Sequence, residues 1–188
     1  MFFELISLVI EACSTILVAA CLLRFYLHYL KINFSATSGN PFSHFLLPLT
    51  NWLVTPLNKM IPWGGRIDLS SLFASYLLVL TKISILLGLS HGIFLQVQIP
   101  IMALFNLLDL ALSGLIGLLL VYVLFSWTRT YSPTQELFYE MIEPLLRPIR
   151  KISPKISGVD ISALILMLII QMLTVILGHT QRMILNML

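Results

Sequence analysis

The chain has 188 residues, of which 59% are hydrophobic and 10% are charged, and its net charge is +3. An average soluble domain carries about 25% charged residues, so this composition leaves too little polar surface to cover a water-soluble globule. The two cysteines and four histidines of the sequence form no metal-binding, haem-attachment or redox motif. We therefore expect a membrane protein that has no cofactor, no metal site and no catalytic site.

Four apolar stretches are long enough to cross a bilayer, whose hydrocarbon core of about 30 Å takes about 20 helical residues. They cover approximately residues 5–27, 69–89, 101–127 and 161–185. Helices are expected because backbone groups in lipid must pair internally. The alternating segments of about ten residues that mark membrane strands are missing from the sequence. The predicted fold class is an all-α membrane protein with four transmembrane helices.

The segments between the first two spans and between the last two spans are amphipathic. Phe42, Leu46 and Leu53 follow helical spacing in the first, and the second places glutamates and basic residues opposite its apolar side. Helices of this kind, too short or too interrupted to span, are expected to lie in the membrane interface. A re-entrant dip is the alternative. Four prolines are expected to kink or break these helices: Pro48, Pro56, Pro144 and Pro148.

One segment of twenty residues occurs twice. LVTPLNKMIPWGGRIDLSSL (53–72) aligns without a gap with LLRPIRKISPKISGVDISAL (145–164), at an offset of 92 residues and with seven identities. This duplication predicts two repeats, residues 1–97 and 98–188, each built as span, interfacial amphipathic helix, span. Because each repeat crosses the membrane twice, both enter with the same orientation, so the repeats are parallel.

Basic residues indicate which side of the membrane the connecting segments occupy. Eight of the eleven Lys and Arg residues lie within residues 28–68 and 128–160. By the positive-inside rule, these loops are cytoplasmic and both termini lie outside. A basic group in the second loop is expected to attract anionic lipid headgroups. Its members are Arg147, Arg150, Lys151 and Lys155.

Each repeat places a proline, a turn and an acidic residue directly before its second span. The residues are Pro62, Asp68 and Ser70 in the first repeat and Pro154, Asp160 and Ser162 in the second. The carboxylate is expected to accept hydrogen bonds from the exposed amides at the helix start, where the helix dipole also favours a negative charge. A ligand site at the paired turns is the alternative.

Three ionisable residues fall well inside the spans: Glu11, Lys82 and Asp109. At 1.5 Å per residue they all lie about 9–12 Å inside the outer boundary. An unpaired charge at this depth costs about 2.5–3.5 kcal/mol on insertion scales, so we expect Lys82 to pair with Glu11 or Asp109 in a polar network. Proton or ion handling and contact with a partner subunit are the alternatives. Arg24, near the inner end of the first span, is expected to extend towards the headgroups.

Short motifs of both repeats resemble a known family. They are Asn40-Pro41-Phe42, Thr55-Pro56-Leu57, Ile61-Pro62, Ile67-Asp68-Leu69-Ser70, EPLLRPIR at 143–150 and Val159-Asp160-Ile161-Ser162. Together they resemble the YggT family of bacterial inner-membrane proteins, called YlmG in plastids and Gram-positive bacteria, in its two-repeat form. The resemblance implies a multi-pass protein of the bacterial inner (plasma) membrane with no agreed catalytic residue. It also implies a link to osmotic tolerance and to division, nucleoid organisation or membrane-complex assembly.

Two functions follow as expectations. The first is a non-catalytic membrane protein that organises or assembles membrane-associated components through its interfacial helices. The alternative is a small ion or proton transport subunit that uses the layer of Glu11, Lys82 and Asp109. The expected partners are membrane lipids, including anionic headgroups, together with a second copy of the chain or other membrane proteins. Nucleic acid is not expected, because the net charge is small and membrane topology explains the basic cluster.

Overall fold

The computed structural model describes residues 2–32, 41–60, 68–89, 98–127, 132–151 and 161–187. Within these residues the helices are α1 (Phe2–Tyr29), α2 (Pro41–Met60), α3 (Leu69–Leu89), α4 (Gln98–Trp127), α5 (Pro133–Arg150) and α6 (Ile161–Met187). Helices α1, α3, α4 and α6 are long and apolar enough to cross a membrane. The predicted all-α membrane fold with four spans is therefore confirmed. Helices α2 and α5 occupy the two amphipathic segments.

The chain packs as two compact units, residues 1–111 with 184–188 and residues 112–183. The boundary between the units falls inside α4, whereas the predicted repeat boundary lies between residues 97 and 98. A packing unit follows side-chain contacts and a repeat follows sequence identity, so the two divisions need not coincide. The repeat boundary stays a prediction.

Small side chains hold the helices of the first unit together. Cys21 of α1, Val54 of α2 and Ala74 of α3 are buried against one another. Lipid tails are as apolar as leucine, so helices in a membrane associate through close backbone approach, which small residues allow. The fully buried small residues of α3 are Ser71, Ala74 and Ser75. A neighbouring cluster joins α1, α3 and the first half of α4 through Val18, Val79, Ala103 and Leu107.

In the second unit, α5 packs against the end of α4 and the start of α6. Ile142 and Leu146 supply the contacts from α5, and both are fully buried. Their partners in the same cluster are Leu119 and Tyr122 of α4 and Ala163, Leu166 and Ile170 of α6. One side of α5 is thereby fixed to its own hairpin, which leaves the opposite side outward.

The prolines of α2 and α5 do not end these helices, so of the predicted kink or break the break is wrong, and the kink stays a prediction. Each helix continues through two prolines. A proline leaves the carbonyl four residues earlier without its helical hydrogen bond. All four prolines are exposed, and so are the residues whose carbonyls they release. The freed carbonyls belong to His44, Trp52, Glu140 and Pro144. They therefore lie on the outward surface, where water or headgroups can donate hydrogen bonds to them.

The C-terminal end of α1 is closed by a Schellman motif. The amide of Ile32 donates to the carbonyl of Leu27 at 3.1 Å, and the amide of Lys31 donates to the carbonyl of His28 at 3.0 Å. This pattern requires a left-handed residue after the helix, and Lys31 adopts it with φ of 59°. The motif therefore closes the first span at Lys31, two residues after Tyr29, the last residue of α1.

Candidate functional site

Among the described residues, the outward side of α5 carries most of the charged side chains of the second unit. Glu136, Glu140, Glu143, Arg147 and Lys151 are all exposed. Opposite them, Met141, Ile142 and Leu146 are fully buried. Within Pro133–Arg150, no large apolar side chain is exposed. We call the exposed residues Glu136, Glu140, Glu143, Arg147 and Lys151 the α5 charged face.

The first turn of α5 is held by a serine cap and a link to α4. Ser132 is extended, with φ of −133° and ψ of 149°, and its Oγ accepts from the amide of Gln135 at 3.2 Å. Pro133 follows at the first helical position, where its missing amide costs no hydrogen bond. The side-chain Nε2 of Gln135 donates to the carbonyl of Phe125 on α4 at 3.1 Å. These contacts fix where the helix starts.

The last turn of α5 is held by Arg150. Its guanidinium donates through Nη2 to the hydroxyl of Tyr122 on α4 and through Nη1 to Glu143, one of the exposed glutamates. The ring of Tyr122 also meets that of Tyr139 edge-on, with centroids 4.9 Å apart. Charged hydrogen bonds of this kind are about twice as strong as neutral ones. Hydrogen bonds therefore hold α5, and with it the α5 charged face, at both ends of the helix.

The basic residues predicted to attract anionic lipid differ in their exposure and in their contacts. Arg147 and Lys151 are exposed, so they are available to headgroups or to a partner. Arg150 is half-buried, and its guanidinium bonds to Tyr122 and Glu143. Lys155 lies outside the described residues.

The ionisable residues inside the spans differ in their surroundings. Lys82 of α3 is only 6% exposed, and its Nζ donates to Oδ1 of Asn106 on α4 at 3.2 Å. Glu11 is exposed and Asp109 is half-buried. Among the described residues, neither carboxylate forms an ion pair with Lys82. The structure thus brings Lys82 to a neutral amide one turn before Asp109, and the network of three charges stays a prediction.

Arg24 forms a polar cluster that the sequence did not indicate. Its Nη1 donates to Oγ1 of Thr50 at 2.9 Å and to Oδ1 of Asn51 at 2.7 Å, both on α2. Its Nε lies 3.6 Å from Oδ2 of Asp68, and the two side chains are 14% and 13% exposed. The expectation that Arg24 extends to the headgroups is therefore wrong. The guanidinium is instead bonded to acceptors of α2 and lies beside the carboxylate that precedes α3.

Asp68 also caps α3. Its Oδ1 accepts from the amide of Ser71 at 3.2 Å, and its Oδ2 accepts from the hydroxyl of Ser71 at 2.6 Å. Ser70, beside it, donates to Oδ1 of Asn58 on α2 at 3.3 Å. Its counterpart in the second repeat, Ser162, is buried. Pro62, Pro154 and Asp160 lie outside the described residues.

The sequence could have indicated the Arg24 cluster through one signal. An arginine five residues before the end of a span, followed by Thr50 and Asn51 on the next helix, offers a donor and two acceptors. The signal is weak because helical spacing alone does not say which side of α1 faces α2.

Comparison with known proteins places the chain in a family. The sequence profile described as CCB3/YggT matches residues 1–89 and 101–181. The chain is 34% identical over 172 residues to "Uncharacterized protein YggT" of Escherichia coli strain K12, covering 88% of this chain and 83% of that one. It is 29% identical over 175 residues to "Uncharacterized protein in proC 3'region" of Vibrio alginolyticus, covering 92% of each. No solved structure matches the chain. The two matched segments, together with four apolar spans, show that the chain is a multi-pass membrane protein and belongs to the CCB3/YggT family.

Proposed function

We propose that the chain is a non-catalytic protein of the bacterial inner membrane that organises or assembles membrane-associated components. In this proposal the repeat loops are cytoplasmic, both termini lie outside, and the α5 charged face is the docking surface for a cytosolic protein. The role in osmotic tolerance that the family resemblance implies would follow from such an assembly function.

The observation that carries this proposal is the way α5 is held. A charged helix that only connected two spans would not need a fixed orientation. Helix α5 is nevertheless held by the hydrogen bonds of Ser132, Gln135 and Arg150. Its outward glutamates Glu136 and Glu140 form no ion pair with any described residue. A preorganised charged surface reduces the ordering that a partner must impose on binding. Complementary charge also speeds encounter with that partner.

A photoreactive amino acid in place of Glu140 tests the docking surface in intact cells. The matched control is the same substitution at Pro48 of α2, because position 48 lies 92 residues before position 140 and both are exposed. We expect position 140 to give a protein adduct of reproducible mass, and position 48 to give none. The adduct should disappear when Glu136→Lys is added, because reversing one charge of the face opposes a basic partner.

Two outcomes contradict the proposal. Adducts to lipid alone at position 140 would show that α5 contacts the membrane rather than a protein. An adduct that survives Glu136→Lys unchanged would show that the charged face does not select its partner.

A second candidate function, an ion or proton transport subunit, is favoured by one observation. Lys82 is buried within a span and its amine meets a neutral amide, with Asp109 one turn further along α4. Ionisable side chains inside membranes mark ion and proton pathways in many transporters.

Flux into liposomes that contain the purified protein separates this candidate from the first. If the protein transports protons or ions, Asp109→Asn abolishes the flux, whereas Glu140→Gln, the same loss of charge outside the spans, leaves it unchanged. Absence of flux above that of empty liposomes excludes the transport function and leaves the assembly function standing.

A further inference from the structure

The outward side of α2 differs in chemistry from the α5 charged face. Phe45 and Trp52, seven residues apart on one side of α2, are 61% and 60% exposed. Pro48 and Pro56 lie on the same side and are exposed as well. The helix contains no acidic residue, and Lys59 lies in its last turn. We call Phe45, Pro48, Trp52 and Pro56 the α2 aromatic face.

The packing of α2 places this face at the edge of the bilayer. Val54 of α2 packs against Cys21, which lies eight residues, or about 12 Å, before the end of α1. The span in α1 has 26 residues, a length of about 39 Å, against a hydrocarbon core of about 30 Å. Ser70 and Asp68, at the start of α3, contact Asn58 and Arg24. The helix therefore lies across the inner ends of two spans, at the level where headgroups meet acyl chains.

The indole N–H of Trp52 is hydrogen-bonded within its own helix, which suits the side chain to an apolar environment. Its indole Nε1 donates to the carbonyl of Leu49 within the same helix at 2.8 Å. A buried indole normally needs a partner for this N–H group, and here the helix supplies it. The ring therefore enters lipid without leaving a donor unpaired.

The offset of 92 residues provides an internal comparison. Thr50 and Val54 of α2 correspond to Ile142 and Leu146 of α5, and all four are fully buried. The two helices thus turn equivalent sides towards their own hairpins. On the outward side, the residues that correspond to Glu136, Glu140, Glu143, Arg147 and Lys151 of α5 are His44, Pro48, Asn51, Thr55 and Lys59 of α2, and all ten are exposed. The two helices therefore share their packing geometry but differ in the chemistry of their outward surfaces.

We infer that the α2 aromatic face inserts into the membrane interface and contacts lipid, whereas the α5 charged face stays in water. Tryptophan and phenylalanine rings are favoured at the headgroup level, and a helix with an apolar side binds there along its length. The three glutamates of the α5 charged face outnumber its two basic residues, so the face as a whole is repelled by the anionic inner leaflet. This inference concerns α2 and does not depend on the partner proposed for α5.

Tryptophan fluorescence in reconstituted vesicles tests the inference. The chain has three tryptophans, so Trp63→Phe/Trp127→Phe leaves Trp52 alone. The matched control removes all three and introduces Pro144→Trp, since position 144 lies 92 residues after position 52 and is exposed. Lipids brominated near the headgroup should quench Trp52 severalfold more than the control. Aqueous iodide should quench the tryptophan at 144 severalfold more than Trp52.

Two results would overturn the inference. If iodide quenches both tryptophans equally, the α2 aromatic face lies in water. If neither quencher reaches Trp52, another protein surface, such as a second copy of the chain, covers it.

Thiol labelling gives a second measurement that needs no change at the other tryptophans. In a Cys13→Ser/Cys21→Ser background, Trp52→Cys and Pro144→Cys are exposed to a membrane-impermeant maleimide from the cytoplasmic side. We expect labelling at 144 to be severalfold faster, because a thiol in lipid is shielded from the reagent and from ionisation. Equal rates would contradict lipid contact at α2.

Discussion

Arg24 connects three helices of the first unit through one side chain. It contacts Thr50 and Asn51 of α2 and Asp68 before α3, which in turn caps α3 through Ser71. The planar guanidinium has five donors in a fixed fork, so a single group reaches acceptors on different elements. Removing it leaves a largely buried carboxylate without its cation.

Arg24→Met is therefore expected to lower the free energy of unfolding by about 3 kcal/mol, the range for breaking a buried pair. The free energy of unfolding of Arg24→Lys should lie between those of the unsubstituted protein and Arg24→Met, because an ammonium group cannot reproduce the fork of donors on a guanidinium group. Thermal unfolding in detergent measures both. The control is Arg182→Met, since Arg182 is exposed and bonds only to Gly178 within α6 among the described contacts. A loss at Arg182 as large as at Arg24 would show that the cluster is not what stabilises the unit.

Lys82 and Asn106 form a side-chain hydrogen bond between two spans of the first unit, at 3.2 Å. Double-mutant cycles in membrane proteins assign such contacts about 0.6 kcal/mol on average and up to about 1.7 kcal/mol. We expect a coupling energy in this range between Lys82→Met and Asn106→Leu, measured by unfolding in detergent. Lys82→Met combined with Glu11→Gln should instead be additive, because Glu11 is exposed and the pair makes no contact. Strong coupling in the second pair would restore the predicted charge network.

At the scale of elements, α2 and α5 show how one packing scheme supports two surfaces. Thr50 and Val54 on the buried side of α2 match Ile142 and Leu146 of α5 at the offset of 92 residues. The outward side exposes two aromatic rings and one charged residue in α2, and five charged residues in α5. Packing constrains only the side that faces the hairpin, so the outward side was free to diverge. The two helices therefore offer one surface to lipid and one to water.

The start of α5 depends on its cap, so Ser132→Ala is expected to cost about 1 kcal/mol and to fray the first turn. Ser132→Asp should preserve the turn, because its carboxylate accepts the same amide hydrogen bond and favours the helix dipole. Amide hydrogen exchange over the first turn of α5 measures the opening. Ser113→Ala, at an exposed position within α4, serves as the control and should leave exchange in α5 unchanged. Unchanged exchange in Ser132→Ala would contradict a capping role.

For the whole molecule, the four spans and the distribution of basic residues predict the orientation in the membrane. An even number of crossings puts both termini on the same side, and the positive-inside rule places the loops that contain Arg147 and Lys59 in the cytoplasm. This proposed orientation would put α2 and α5 on the side where cytosolic partners and anionic lipid are found.

A reporter that is active only outside the cytoplasm should therefore work when fused after Met187, and a cytosolic reporter should not. Inserted within residues 152–158, the same two reporters should show the reverse pattern. Activity of the cytosolic reporter after Met187 would overturn the topology and with it the assignment of α5 to cytosolic partners.

The sequence by itself determined the four spans, the two amphipathic segments and the duplication, because length, hydropathy and identity at a fixed offset are local properties of the chain. It also indicated the cap at Asp68, since a carboxylate directly before an apolar run has one nearby set of free amides. It did not decide whether the prolines of α2 and α5 kink or break these helices, because that effect depends on whether the released carbonyls are exposed.

Only the tertiary structure decided which side chains meet. It turned Arg24 inward to Thr50 and Asp68, gave Lys82 the amide of Asn106, and directed Arg150 to Tyr122 instead of to headgroups. Periodicity places a residue on one side of its helix, but the neighbour on that side depends on how the helices rotate as they pack. That rotation is set by contacts between segments far apart in the chain, such as Cys21 with Val54 and Ala74, which no local pattern encodes.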